Sequence, residues 1–244
     1  MQVIVDVGNS RSKIALFHDK KWSMFSFTHS ELDRKALEKI IQSHSMPSSA
    51  IIASVAEYDS QIDELLRSIA PLFKFDSSLK IPIPLNYRTP LTLGNDRLAN
   101  ACALFDRYTG DAAVAIDCGT CIKFDMVDAS GKYLGGSISP GIKMRFSVLS
   151  EQTAQLPNLE IDSKVQLIGD STVKSIQSGV LNGVISEIDG MIQQYESLFP
   201  GIKKVLTGGD AELLAGKLKS SIFVAPNLTM LGLKVILDHN LKLS

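Results

Sequence analysis

Cysteine is scarce in this chain of 244 residues: only Cys102, Cys118 and Cys121 are present. An odd, sparse set speaks against a secreted disulfide framework and for a reducing cytoplasm. Histidine is scarce as well, and His18, His29, His44 and His239 show no metal-ligand spacing. Charge of one sign is missing. Lys+Arg is 25 and Asp+Glu is 26, a formal net charge of -1. No basic excess exists to drive generic binding to nucleic acid or to an anionic membrane. No stretch approaches the roughly 18 apolar residues that a membrane helix needs. The opening MQVIVDVGNS carries Asp6 and no basic leader before an apolar run, so it does not read as a signal peptide. No G-x-x-x-x-G-K-[ST] loop occurs, which excludes a P-loop enzyme. No G-x-G-x-x-G opens a helix after a strand, which disfavours a dinucleotide Rossmann site.

What is present is an ordinary globular composition, with 45% hydrophobic residues, 17 Gly and 9 Pro. At this length a folded chain buries on the order of 70% of its unfolded surface, so it needs neither disulfides nor metals as staples. The apolar pattern predicts three short strands at Val3–Val5, Lys13–Phe17 and Trp22–Phe27. A helix follows, with Ser30 as cap and Asp33 in the capping-box position. A strand at Ala50–Val55 and a helix near 60–70 come next, then an extended loop over 76–93 and a helix from Arg97 to Tyr108. The pattern then restarts. Strands are predicted at 113–116, 122–127 and 133–138, helices at 141–150 and 172–197, a strand at Val205–Leu206, a further helix, a strand at Ile222–Val224 and a last helix near 227–239.

An offset of 111 places Asp6 on Asp117 and Gly8 on Gly119, each where a first strand turns into a second. The fold class is therefore α/β, a duplicated βββαβα unit, with domains at 1–111 and 112–244 and a cleft between two facing turns. Each turn offers the same chemistry. In Asp6-Val7-Gly8-Asn9-Ser10-Arg11-Ser12-Lys13 the glycine exposes backbone N–H groups that can cradle an anion. Ser10 adds a hydroxyl, Lys13 a cation, and Asp6 a carboxylate for Mg²⁺, directly or through water. A plain hairpin turn with solvated Asp and Asn would use the same residues. Asp117-Cys118-Gly119-Thr120 repeats acid, glycine and hydroxyl. Cys118-Gly119-Thr120-Cys121 also matches C-x-x-C, but a redox motif opens a helix, and a strand follows here.

Gly94-Asn95-Asp96-Arg97 sets an acid and a base beside a glycine. Asp96 can accept a hydroxyl proton and Arg97 can clamp a carboxylate, while a helix cap and a surface Arg is the plainer alternative. Gly169-Asp170-Ser171-Thr172, which alone reads as a capped helix start, and Thr207-Gly208-Gly209-Asp210, a glycine pair after a strand that allows close approach of a flat ligand or a phosphate and reads equally as a simple turn, complete the set.

Together, two D-x-G-[NST] turns on repeated three-strand units and a late T-G-G resemble the actin, sugar-kinase and heat-shock-ATPase superfamily. D-V-G-N-S-x-x-K, G-x-D-R-x-x-N (Gly94 to Asn100), D-x-G-T, L-G-G-x-I-x-P-G (Leu134 to Gly141), T-A-x-L-P (Thr153 to Pro157), G-x-S-T and T-G-G-D narrow this. In that order they resemble type III pantothenate kinase. The resemblance implies two RNase H-like domains with ATP between them, and phosphorylation of pantothenate to 4′-phosphopantothenate, the first step of coenzyme A biosynthesis. It implies that Asp6 to Lys13 and Thr120 bind ATP, with Asp6 near Mg²⁺. It makes Asp96 the general base, and Tyr87, Gly94, Asn95, Asp96, Arg97 and Thr172 the substrate site. It gives Asp117 a monovalent cation, K⁺ or NH₄⁺, and makes the protein a cytoplasmic homodimer without nucleic-acid or membrane partners. Cys121 and Lys123 depart from the small or hydroxylated residues that the family has after D-x-G-T. A non-catalytic regulatory protein and a kinase for another acceptor are the competing readings.

Overall fold

The computed structural model describes residues 1–8, 11–28, 31–76 and 78–244. They group into two compact units, Met1–Arg107 with Leu228–Ser244, and Tyr108–Asn227. In the first, β1 (Gln2–Val7), β2 (Ser12–His18), β3 (Lys21–Phe27), β4 (Ser49–Ser54) and β5 (Leu72–Lys74) form one sheet in the order β3-β2-β1-β4-β5. The three opening strands pair antiparallel, whereas β4 lies parallel to β1 and β5 parallel to β4. A parallel central pair is buried on both faces, and β1 is accordingly an unbroken run, Val3-Ile4-Val5. Val3, Val5 and Val7 pack with Leu37, Ile40, Ile62 and Leu66 of α1 (Arg34–Gln42) and α2 (Gln61–Ile69). The opposite side of the sheet receives α7 (Leu228–Leu241), which packs on β1, on β4 and along α3 (Asn95–Arg107).

The second unit repeats the plan. β6 (Ala113–Cys118), β7 (Cys121–Val127), β8 (Tyr133–Pro140), β9 (Lys203–Thr207) and β10 (Phe223–Val224) run β10-β9-β6-β7-β8, the same order read from the other end. β6 pairs antiparallel with β7 and parallel with β9. Val114 and Ile116 of β6 pack with Ile176, Val180, Val184, Ile188 and Ile192 of α5 (Thr172–Leu198). That apolar stripe recurs at helical spacing and seats the long helix on the sheet. α4 (Ile142–Glu151) precedes α5, and the short α6 (Ala211–Ala215) lies between β9 and β10.

Three expectations need adjustment. The helix cap at Ser30 lies outside the described residues, and Asp33 caps α1 by accepting from the Ala36 N–H at 2.8 Å. Strand β5 has only three residues and no period of its own, so nothing in its pattern announced it. The compact second unit stops at Asn227 rather than running to 244. The reason is α7. Gln2 Nε2 donates to Asp238 at 2.8 Å, Asn240 bridges the backbone of Lys80, and Thr229 Oγ1 donates to Asn100 at 3.0 Å. Among the described residues, no helix is long and apolar enough to cross a membrane.

Gly232 lets α7 approach α3 at backbone distance. A Cβ at this position would collide with the Ala99 carbonyl. Backbone cannot swing aside as a flexible side chain does, so we expect Gly232→Ala to cost about 1–3 kcal/mol of stability. Urea denaturation checks this, and an unchanged midpoint would contradict the close packing.

Candidate active site

The first turn joins β1 to β2. Asp6 faces Lys13 across the hairpin and Val7 faces Ser12. The Gly8 N–H donates to the Arg11 carbonyl at 3.2 Å, closing the turn. Asn9 and Ser10 lie outside the described residues. Arg11 is exposed, and its Nε donates to Ser26 Oγ on β3 at 2.9 Å. Ser12 is 1% exposed, and its hydroxyl has no hydrogen-bond partner among the described residues. Asp6 and Lys13 are half-buried at the strand ends, one of each charge on the same sheet face.

The second group in this unit forms at the start of α3. The Gly94 carbonyl accepts from the N–H groups of Arg97 (3.1 Å) and Leu98 (3.2 Å). Asn95 Nδ2 donates to the Phe75 carbonyl at 2.9 Å, tying the helix start to the residue after β5. Asp96 is half-buried in the first turn, where N–H groups favour negative charge, and its Oδ1 accepts from the Arg97 N–H at 2.9 Å. Arg97 is 5% exposed, and its guanidinium carbon lies 5.9 Å from the centre of the Tyr87 ring. That is cation–π range, so the fold brings Tyr87, Asp96 and Arg97 into one neighbourhood.

In the other unit, β6 carries Asp117 and β7 carries Lys123, directly opposite in register. Lys123 Nζ lies 2.8 Å from Asp117 Oδ2, with the two side chains 16% and 13% exposed. Between them, the Gly119 N–H donates to the Cys121 carbonyl at 3.1 Å, and Thr120 stands exposed at the tip. Two distant motifs converge here. The Gly141 N–H donates to the Thr120 carbonyl at 3.0 Å, and the Asp210 N–H to the Cys118 carbonyl at 2.9 Å. Gly208 has φ +95 and its missing Cβ would lie 2.5 Å from Asp117 Oδ1, so only glycine fits. Burial and the neighbouring carboxylates Asp117, Asp210 and Glu187 push the Cys118 thiol up, so it stays protonated and packs rather than reacts.

Thr172 opens α5 and is exposed. It lines an open cavity of about 790 Å³ with Pro140, Arg145, Val148, Leu156 and Ile176. Pro140 borders this groove and the adjoining Gly141 supports the Thr120 turn, so one stretch of β8 and α4 serves both. Arg145 bonds Glu187 of α5 and its Nε donates to the Pro140 carbonyl at 2.9 Å, which fixes that stretch. Two residues went unassigned by sequence. Lys123 was visible only as an unexpected charge. Asp210 stood at the end of T-G-G-D with no role, and its side chain makes no capping bond to α6. Burial raises its pKa, against a smaller opposing pull from Lys143.

Two units of one strand order, each turning from an acid-bearing strand through a glycine, define the α/β fold of the actin and sugar-kinase superfamily. Solved structures share it. A protein from Campylobacter jejuni described as a Baf family transcriptional activator matches with TM-score 0.62 and 21% identity, over 98% of this chain and 99% of that one. A 2-dehydro-3-deoxygalactonokinase protein from Sinorhizobium meliloti matches with TM-score 0.59 and 12% identity, over 98% and 99%. Sequence goes further than fold. The family model for type III pantothenate kinase matches residues 2–194. A type III pantothenate kinase of Flavobacterium johnsoniae is 39% identical over 231 residues, 94% of each chain. The chain belongs to the type III pantothenate kinase family.

Asp210 gives a pH prediction. Its folded pKa is raised, so its protonated form favours folding below the ordinary value of 3.8, and that contribution is lost as pH rises through the folded value. Asp210→Asn should therefore melt higher than the parent at neutral pH, with the gap narrowing toward pH 3.8. Parallel melts across that range check the sign, and a variant that melts lower at neutral pH would refute it.

Proposed function

We propose that the chain transfers the γ-phosphoryl group of ATP to the primary hydroxyl of pantothenate, giving 4′-phosphopantothenate and ADP. This is the first step of coenzyme A biosynthesis, and we place it in the cytoplasm. Family membership over nearly the full chain supports the reaction, and the cluster of Tyr87, Asp96 and Arg97 carries the substrate assignment.

Phosphoryl transfer asks for positioning and charge neutralisation more than covalent chemistry. Arg97, held under Tyr87, is suited to clamp the pantothenate carboxylate with two parallel N–H bonds. Asp96 then accepts the proton of the attacking hydroxyl as its oxygen bonds to the γ-phosphorus and the bond to the β-phosphate oxygen breaks. Gly94 and Asn95 hold the helix start that aims Asp96. Thr172, at the rim of its groove, would add a hydroxyl contact to pantothenate. On the nucleotide side, the segment from Asp6 to Lys13, including Val7, Gly8, Asn9, Ser10, Arg11 and Ser12, would cradle phosphate oxygens with N–H groups and the Lys13 ammonium. Thr120 would do the same from the second turn.

Two ions need separate treatment. Mg²⁺ takes one or two carboxylates plus phosphate oxygens and water, and the Asp6 carboxylate at a strand end would supply one such donor beside Lys13. When bound it would neutralise the phosphate charge. Among the described residues no group of three or more acids, His or Cys suggests a denser metal site. A monovalent cation at Asp117 does not fit the residues present. The carboxylate already carries an ammonium on Oδ2 and meets the Gly208 backbone on the side of Oδ1. No step is assigned to such an ion.

A homodimer would give cover to apolar residues that stand exposed on the unit Tyr108–Asn227, among them Val148, Leu167, Ile168 and Val173.

Asp96→Asn should lower kcat by about 10²–10⁴-fold, the usual worth of a positioned base, with the fold intact by circular dichroism. Near-normal turnover would remove Asp96 from that role. The double variant Val148→Asp, Ile168→Asp should sediment as a monomer at concentrations where the parent is a dimer. A parent that is monomeric at all concentrations would overturn the dimer.

A further inference from the structure

We propose that Lys123 is the built-in monovalent cation of the second phosphate turn, so that this chain transfers phosphate without K⁺ or NH₄⁺. The proposal rests on the kinase function stated above.

Three observations carry it. The first is contact: Lys123 Nζ lies 2.8 Å from Asp117 Oδ2, at salt-bridge distance. The second is burial. Side-chain exposures of 16% and 13% leave the pair weakly hydrated, so its charges are screened far less than those of a surface pair. A buried ammonium without its carboxylate would be costly, and so would the carboxylate without the ammonium. The pair is thus held in place at rest, before any ligand arrives. The third is origin in the sheet. Asp117 and Lys123 are direct cross-strand partners, so the ammonium is fixed by β-sheet register and not by a loop.

An ammonium carries the same unit charge as K⁺ and, like it, binds oxygen. At Asp117 it brings that charge beside Gly119 and Thr120, the turn that faces phosphate in the proposed reaction. A second cation there would meet Nζ as a like charge. On the other side of the carboxylate the chain passes close, since a Cβ on Gly208 would sit 2.5 Å from Oδ1 and would collide with the Cys118 carbonyl. The carboxylate that would anchor a K⁺ is therefore occupied by protein. The first turn has its own lysine in the matching place, with Lys13 opposite Asp6. Each half then supplies one covalently attached positive charge next to its acid.

The full-length enzyme tests this with MgATP and pantothenate in buffers free of K⁺ and NH₄⁺, with choline chloride exchanged for KCl at constant ionic strength. The parent should turn over equally in both salts. Lys123→Ala removes the ammonium and opens space, so its rate in choline should fall by about 10²-fold, the loss typical of one stabilising group, and recover on adding KCl. Lys123→Met fills the space without charge and should be slow in both salts. Parent activity that rises tenfold or more with KCl would overturn the proposal. So would a folded Lys123→Ala enzyme that keeps full activity in choline, or one that KCl fails to rescue. Thermal melts supply a readout separate from catalysis. The parent should melt at one temperature in KCl and choline, and Lys123→Ala should be stabilised by KCl alone. If the parent makes no phosphorylated product in either salt, the kinase function fails, and the melts still decide whether Lys123 excludes K⁺. A parent stabilised by KCl over choline would refute the exclusion.

Discussion

The hydrogen-bond register of the central strand in each sheet governs the rest of the molecule. β6 is paired on both edges, antiparallel to β7 and parallel to β9. Its backbone groups are therefore spent on neighbours, and its residues cannot slide. Asp117 ends up opposite Lys123 on one side and Thr207 on the other. Glycine at 208 then follows as a steric necessity, because the chain leaving β9 passes against the Asp117 carboxylate. In the first sheet, the same logic puts Asp6 opposite Lys13 and beside Ala53 of the parallel strand. The chemistry proposed for both turns depends on those pairings more than on the turns themselves.

Much of this was legible in the sequence, for an identifiable reason. Acid–x–glycine after an apolar run is a local signal, and its recurrence at an offset of 111 needs no structure to be seen. The amphipathic helices α2 and α5 and the buried runs of β1 and β6 follow from the same short-range periodicity. What was not legible depends on distance. The helix α7 has the composition of any buried helix, and only its bonds to Gln2, Lys80 and Asn100 decide which unit it joins.

Lys123 is the instructive case among the site residues. In a linear comparison it looks like an intruder, because the lysine of the first turn is seven residues after its aspartate and this one is six. The hairpins differ by one residue in their turns: Gly8 closes on Arg11, and Gly119 on Cys121. Once that residue is taken out, the lysines occupy the same cross-strand position. A one-residue change in loop length is small in sequence and sufficient to hide an equivalence. Asp210 was hidden differently. Its sequence context draws attention to the two glycines before it, whereas the structure leaves the Asp210 side chain half-buried and without a capping bond.

The return of α7 to the first unit has a consequence for how the chain reaches its native state. Residues 108–227 are contiguous, so that unit holds all its own strands as soon as it is synthesised. The strands of the first unit are made before those of the second, but that unit stays incomplete, since the helix covering one side of β1 and β4 follows the whole second unit in sequence. Until it arrives, Ala99 and its apolar neighbours on α3 have no partner from α7. Closing that long separation costs entropy that grows only slowly with loop length, so the expense lies in waiting more than in thermodynamics. The first unit to be made is therefore the last to be completed, and its exposed α3 face during that interval is the stage at which misassociation is most open.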